Sequence, residues 1–341
     1  MEPSKPLLLT MGDACGIGPE ILVQAFRSGQ CRSAFVLGDL DVMRRAAELT
    51  GGMFPLAAIE HPAEALHCPP GCMPVLAATG LPADLLAAPI GHVDARAGAA
   101  AAACIRQAVA LAMAGEVSAI VTAPVHKEAL AAAGVAFPGH TEMLQAWSGA
   151  GPVRMMLANN ELRTVLVTIH VSLRRAIDLV TFDAVLETLR IAHRAAAAWG
   201  QPAPRIGVSG LNPHAGEGGL FGDEEVRIIA PAVEAARAEG IDARGPFAPD
   251  TVFMRARHTA THPGEFDIVV AMTHDHGLIP VKYLGVEQGV NVTLGLPFVR
   301  TSPDHGTAFD IAGRGTAEPA SLLAALRMAR QLAGGPGRPA I

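Results

Sequence analysis

Aromatic and charged residues are scarce in this chain. Only 4% of its 341 residues are aromatic and 17% are charged, whereas half are apolar, and alanine and glycine are plentiful. Small residues let helices approach a sheet closely, so this composition favours helix-on-sheet packing over a β-sandwich. The length exceeds that of one ordinary core and therefore predicts two α/β domains.

Runs of basic residues and long apolar runs are also lacking. The formal net charge is −6, whereas a nucleic-acid partner normally requires a basic face, so none is expected. Arg106, Gln107 and Glu116 interrupt the alanine-rich run 99–123, which is therefore too polar to span a membrane. The apolar start is too short for a signal peptide. These features predict a cytoplasmic protein with a small-molecule ligand.

The cysteines form no paired framework. There are five of them, an odd number, so reduced thiols are expected. Cys68 and Cys72 flank a turn-like segment, but no second pair follows them. Because a structural zinc site needs four ligands, we expect no zinc knuckle there.

Short apolar runs alternate with helix-length segments along most of the chain. This alternation is typical of parallel strands covered on both faces by helices. The predicted strands are 6–11, 34–37, 119–122, 164–168, 205–209 and 266–272. The predicted helices are 18–27, 42–49, 95–114, 182–198, 223–239 and 319–332. The fold class that follows is α/β with a mostly parallel sheet.

Three histidines follow predicted strands in polar or Gly- and Pro-containing segments. They are His170, His214 and His274. Any one alone could be an isolated structural histidine. Together, and with Asp275 beside His274 and Asn212 close to His214, they favour one divalent ion held by three imidazoles, with positions open for substrate.

A glycine followed by polar residues occurs at 139–142. Here His140 and Thr141 precede an expected helix, and the free N–H groups at a helix start can bind an anion. A plain helix cap at Thr141 would explain the same pattern. The segment therefore predicts an anion site or a cap.

Lys282, Asn291 and Arg300 stand in an apolar, glycine-rich stretch. Burying a cation without a partner is costly, so the lysine and arginine should face an anionic ligand or a carboxylate. Phosphate is the natural candidate for that ligand.

Known cofactor motifs are missing. No Gly-x-Gly-x-x-Gly segment follows a strand, and no Walker lysine loop is present. The segment 12–20 does follow a strand, but its glycine spacing does not suit a Rossmann turn. We therefore assign no cofactor-binding residue.

Several long motifs resemble the 4-hydroxythreonine-4-phosphate dehydrogenase family of vitamin B6 biosynthesis. They are 10–20, 122–127, 137–142, 210–219, 249–251 and 304–315. The similarity runs in order along nearly the whole chain. It implies a homodimer of two-domain α/β/α subunits, related in fold to isocitrate and isopropylmalate dehydrogenases.

The domains that we predict are a split first domain, 1–135 with 300–341, and a second domain, 136–299. The second domain is expected to carry the metal site and the dimer interface. The segment 304–315 also resembles the nucleotide-loop region of isocitrate and isopropylmalate dehydrogenases, which would account for the missing Rossmann turn.

The resemblance also implies site residues and a reaction. The metal ligands would be His170, His214 and His274, and the substrate-binding residues His140, Thr141, Lys282, Asn291 and Arg300. The reaction would be metal-dependent oxidation of 4-phosphooxy-L-threonine by NAD or NADP, with loss of carbon dioxide. Zinc, magnesium, manganese and cobalt all stay open as the metal. Asp250 and Lys127 could transfer protons or make structural ion pairs.

Two motifs depart from the family pattern. The family often has Thr-Pro-Gly-Glu-Pro-Ala-Gly where this chain has 10–16, and Tyr-His-Asp-Gln where it has 273–276. The Met-Gly-Asp form is similar to a branch acting on 4-phospho-D-threonate or 4-phospho-D-erythronate, which is the alternative function. A cis-dihydrodiol dehydrogenase and a metal-dependent phosphohydrolase are further alternatives.

Overall fold

The chain forms two compact α/β units. A computed structural model describes residues 5–137 and 139–334. Unit 1 comprises the residues up to Gly151 together with Leu296–Ala333, and unit 2 comprises Pro152–Gly295. Within the described residues, no helix combines the length and apolar character needed to cross a bilayer. All five cysteines are free.

The helices and strands alternate along the chain. The strands are β1 Leu7–Thr10, β2 Ala34–Gly38, β3 Leu56–Ile59, β4 Met73–Ala77, β5 Ala119–Thr122, β6 Arg154–Ala158, β7 Arg163–Leu166, β8 Ile206–Ser209, β9 Ala243–Phe247, β10 Ile268–Ala271, β11 Val290–Leu294 and β12 Arg300–Pro303. The helices are α1 Gly18–Arg27, α2 Leu40–Leu49, α3 Ala95–Met113, α4 Lys127–Ala132, α5 His140–Ser148, α6 Leu173–Leu179, α7 Phe182–Ala198, α8 Ala230–Ala238, α9 Val252–Ala256, α10 His274–Tyr283 and α11 Ala320–Ala333.

Unit 1 has a fully parallel set of strands. Their order is β3-β4-β2-β1-β5-β12, and each neighbouring pair is parallel. Helix α3 approaches α4 so closely that a Cβ on Gly98 would lie 2.0 Å from the carbonyl oxygen of Ala129. Small residues make that packing possible. Since β1 and β5 are parallel neighbours, the residues that follow them meet at one edge of the sheet.

Unit 2 has a mixed set of strands in the order β11-β6-β7-β10-β8-β9. Strand β6 runs antiparallel to β11 and β7, whereas β7, β10, β8 and β9 are parallel. The strand residues Leu157, Leu166 and Val269 pack with Phe266 in one hydrophobic core. The predicted α/β class with a mostly parallel sheet is confirmed.

The units differ in extent from the predicted domains. Unit 1 reaches Gly151 rather than residue 135, because α5 packs on α3 and α4 through one cluster that includes Ile105, Leu130, Met143 and Leu144. The helix predicted at 223–239 is also different. A π-helical turn, Glu225–Ile229, precedes α8 there.

Candidate functional site

Two of the predicted metal ligands share a pocket in unit 2. Strands β7 and β10 are parallel neighbours, and the segments that follow them line a pocket of about 310 Å³. His170 and His274 both line it, with ring centroids 5.6 Å apart. Two imidazoles that share one ion through bonds of ~2.1 Å place their ring centres roughly 5 Å apart. The pair therefore fits two ligands of a divalent ion.

The orientation of His274 is set by the next residue. Its Nδ1 lies 2.7 Å from Oδ1 of Asp275. A carboxylate that accepts from Nδ1–H leaves Nε2 of the ring as the metal donor, which is the usual arrangement around metal-bound histidines. Asp275 thus orients His274 toward this role.

His276 is a further histidine of the same pocket. Burial lowers its pKa, and the charge of Asp275 opposes this shift. Its Nδ1 is buried without a hydrogen-bond partner among the described residues. This position departs from the family pattern, and the sequence predicts no role for it.

The third predicted ligand, His214, lies on a different element of unit 2. His214 belongs to the turn Pro213–Gly219 after β8, with φ 54°, and its ring centroid is 6.1 Å from that of Phe221. Across residues 5–137 and 139–334, no three His, Cys, Asp or Glu side chains gather into a metal-binding group. The three-histidine centre therefore stays a prediction, with two members in one pocket.

The remaining predicted residues of unit 2 lie on separate elements. Lys282 is half-buried near the end of α10, and Asn291 is half-buried in β11, opposite Leu157 of β6. Asp250 is exposed in the turn before α9. Their roles stay predictions.

A buried arginine lies at the strand ends of unit 1. Arg300 is 3% exposed, and its Nη2 donates a hydrogen bond to Oγ1 of Thr122, the last residue of β5, at 2.6 Å. Burial lowers the pKa of Arg300 to about 9, so the guanidinium is still charged at neutral pH. A buried cation of this kind suits an anionic ligand.

His140 and Thr141 are the first two residues of α5. Burial lowers the pKa of His140 well below its usual value, and the positive charge of Arg300 lowers it further. The imidazole is therefore neutral at pH 7, and its Nε2 is buried without a partner among the described residues. A neutral ring beside a cation can donate to an anion without adding charge.

The sequence prediction missed three polar residues near the ends of β1 and β5. Thr10 is the last residue of β1, Asp13 follows β1, and His126 follows β5. In Thr10, Asp13 and His126, one side-chain atom is buried with no hydrogen-bond partner in the described part of the chain. Burial raises the pKa of Asp13. The hydrogen bond that the N–H of Cys15 donates to its Oδ1, at 2.9 Å, opposes this rise. The ring of His126 stacks on Phe309, with centroids 4.6 Å apart. Such unsatisfied groups are typical of ligand sites.

The position of Lys127 differs from that of its neighbour. Lys127 begins α4 and is exposed, whereas His126 is half-buried. The signal for His126 was available, because polar residues directly after parallel strands commonly contact ligands.

Comparisons with known proteins identify relatives that align with nearly the whole chain. A 4-hydroxythreonine-4-phosphate dehydrogenase of Beijerinckia indica is 56% identical, over 96% of this chain and 95% of the relative. A D-threonate 4-phosphate dehydrogenase of Pectobacterium atrosepticum is 46% identical, over 97% of this chain and 100% of the relative.

A solved structure and a family model agree with these relatives. The crystal structure of a 4-hydroxythreonine-4-phosphate dehydrogenase from Klebsiella pneumoniae has a TM-score of 0.88 at 44% identity, covering 97% of this chain and 100% of that one. The model of the family described as pyridoxal phosphate biosynthetic protein PdxA matches residues 30–329. The resemblance inferred from the motifs is confirmed, and the chain belongs to the PdxA family.

Proposed function

We propose that the protein oxidises 4-phosphooxy-L-threonine at its C3 hydroxyl in a reaction that needs a divalent ion and NAD. Loss of carbon dioxide from the resulting β-keto acid would give 3-amino-2-oxopropyl phosphate. The observation that carries the proposal is the pocket in which His170 and His274 meet, with Asp275 holding His274. The 56% identity to a 4-hydroxythreonine-4-phosphate dehydrogenase supports the substrate.

The residues of the chain would bind and orient the reactants. When bound, a divalent ion would lower the pKa of the substrate hydroxyl and NAD would accept hydride. Asp275 fixes the ring of His274, and Arg300 supplies a buried positive charge for the phosphate. His140, Thr141, Lys282 and Asn291 are proposed as further substrate contacts. Asp250 and Lys127 are kept as candidates for proton transfer.

A second candidate substrate is D-threonate 4-phosphate. The name of the Pectobacterium atrosepticum relative supports it, as does Asp13, which gives this chain the Met-Gly-Asp form of its first motif. The two substrates differ at C2, where one carries an ammonium group and the other a hydroxyl.

NADH formation separates these candidates. We expect chelator-treated protein to be inactive, and added Zn²⁺, Mg²⁺, Mn²⁺ or Co²⁺ to restore NADH formation with 4-phosphooxy-L-threonine. A higher kcat/KM with D-threonate 4-phosphate would favour the second candidate. Absence of metal-dependent NADH or NADPH with both substrates would contradict the proposal, and phosphate release in its place would identify a phosphohydrolase.

We further propose that the protein is a homodimer that associates through unit 2. Exposed large apolar side chains are frequent on this unit, and such surfaces commonly mark protein interfaces. They are Val171, Leu173, Ile177, Phe182, Leu220, Phe221, Val226, Met254, Ile279 and Tyr283. Val171 and Leu173 follow His170 closely, and Phe221 lies beside His214. A second chain at this surface could complete a metal site that one chain leaves with two ligands.

Leu173→Glu should weaken this dimer. Leu173 is 67% exposed, and a carboxylate buried in its place would lose its hydration. We expect the dimer dissociation constant to rise tenfold or more, which corresponds to about 1.4 kcal/mol of binding free energy. Analytical ultracentrifugation measures this constant. Met53→Glu, at a side chain of unit 1 that is 94% exposed, is the matched control. A monomeric parent protein, or equal constants for both variants, would count against the interface.

A further inference from the structure

The turn that carries His214 has an unusual backbone. Its residues 214–218 all have positive φ values, between 44° and 79°. Three of them, His214, Ala215 and Glu217, are not glycine, and L-residues adopt this conformation only when surrounding contacts impose it. The turn therefore needs an anchor.

A buried carboxylate provides that anchor. Glu225 is 2% exposed, and its Oε1 accepts hydrogen bonds from the backbone N–H groups of Leu211 and Asn212, both at 2.7 Å. Its Oε2 accepts from Nδ2 of Asn212 at 2.9 Å. These bonds fix the two residues that enter the turn.

The glycines of the segment leave room for this carboxylate. A Cβ on Gly210 would lie 2.9 Å from Oε1 of Glu225, and one on Gly216 would lie 2.7 Å from Oε2. The chain thus contacts the carboxylate just before the turn, at Gly210, and in the middle of the turn, at Gly216. Glu225 itself begins a π-helical turn, a distortion that is frequent at functional sites.

We infer that Glu225 is a positioning residue, which fixes the left-handed turn so that His214 is held in one place for metal binding. The inference rests on the proposed function, because it takes His214 as a metal ligand. Its general basis is that groups supporting a metal ligand reduce the cost of ordering that ligand, and that replacing them weakens metal affinity.

Metal titration of the full chain tests this inference. In Glu225→Gln an amide N–H₂ replaces one of the two acceptor oxygens, and this donor would face N–H groups that donate to the carboxylate in the parent protein. We expect the affinity for Co²⁺, followed by its visible absorption, to fall roughly 10- to 100-fold. Glu234→Gln removes the same charge from an exposed position on α8 and should leave the affinity unchanged.

A double-mutant cycle distinguishes positioning from a general loss of stability. If Glu225 acts through His214, Glu225→Gln should lower Co²⁺ affinity much less in a His214→Ala background than in the parent. Equal losses in both backgrounds, or parent-like affinity of a folded Glu225→Gln variant, would overturn the inference.

Two further outcomes are distinguishable. If Glu225→Gln does not fold, Asn212→Ala keeps both backbone positions and removes the side-chain bonds to Glu224 and Glu225. Like Glu225→Gln, this variant should have a lower Co²⁺ affinity than the parent, and an unchanged affinity would overturn the inference. A parent protein that binds no Co²⁺ would overturn the metal part of the proposed function as well, whereas one that binds Co²⁺ but forms no NADH would overturn the proposed reaction alone.

Discussion

His274→Ala is expected to leave a folded protein that has lost nearly all metal-dependent NADH formation. His274 and His170 line one pocket with ring centroids 5.6 Å apart, so the substitution removes one of the two predicted imidazole ligands in that pocket. Metal polarisation of a substrate oxygen is worth several kcal/mol. A loss of ~4 kcal/mol corresponds to a fall in kcat/KM of roughly 1000-fold.

The measurement is kcat/KM with saturating metal, together with the metal content of the purified variant. His262→Ala removes an exposed histidine of the same unit outside the pocket and should behave like the parent. Asp275→Asn keeps the imidazole but weakens the charged acceptor at 2.7 Å from its Nδ1, and should give an intermediate loss of metal affinity. Full metal-dependent activity in His274→Ala would rule out this residue as a ligand.

Some elements of the fold could be read directly from the sequence. Helices α1 and α7 have the predicted bounds, because each combines a clear amphipathic pattern with a recognisable start, Pro19 in α1 and the capping side chain of Thr181 in α7. Strand β5 also has its predicted bounds, since its residues are all buried and apolar except for the terminal Thr122.

Other strands could not be predicted from local pattern. Strand β12 contains Arg300, Thr301 and Ser302, all buried, and β11 contains Asn291 and a buried Thr293. Such segments lack an apolar run, and they become strands because neighbouring strands and helices surround them. Tertiary context of this kind overrides local propensity.

In the candidate site, too, some features could be predicted from the sequence and others depend on the tertiary structure. The sequence predicts that His170 and His274 act together, because both follow predicted strands of a mostly parallel sheet, and the structure places those strands side by side. The anchor of His214 could not, since Glu225 is separated from the turn in sequence and is brought back to it by hydrogen bonds to Leu211 and Asn212. Asp13 and His126 lie in the motifs 10–20 and 122–127, but the sequence does not show that their side chains are buried with an atom that lacks a hydrogen-bond partner among the described residues.

Arg300→Lys is expected to raise the KM for phosphorylated substrates strongly while leaving the fold intact. The guanidinium of Arg300 is buried and donates to Thr122 at 2.6 Å. A guanidinium can bind two oxygens of one phosphate, and a lysine ammonium cannot match this geometry. Hydrogen bonds to charged groups are worth roughly 1.5–3 kcal/mol, so the expected rise in KM is on the order of 10- to 100-fold.

The buried charge also predicts a stabilising effect of phosphate that depends on pH. Because burial lowers the pKa of Arg300 to about 9, the folded protein carries the full cost of this charge below pH 9. The cost is relieved as the pH rises above 9, where the unfolded chain keeps the proton that the folded chain loses. A phosphate dianion offsets the cost while Arg300 is charged. Inorganic phosphate should therefore raise the melting temperature at pH 7.5, and raise it less above pH 9.

Matched lysine variants separate this effect from the burial of arginine in general. Arg163 is also buried, at 8% exposure, in β7, and it is not among the residues that we propose as contacts of the phosphorylated substrate. Arg163→Lys should keep both the parent KM and the stabilisation by phosphate at pH 7.5, whereas Arg300→Lys should lose most of each. If phosphate stabilised Arg300→Lys as much as the parent, the phosphate would bind elsewhere, and the buried cation of unit 1 would have a structural role.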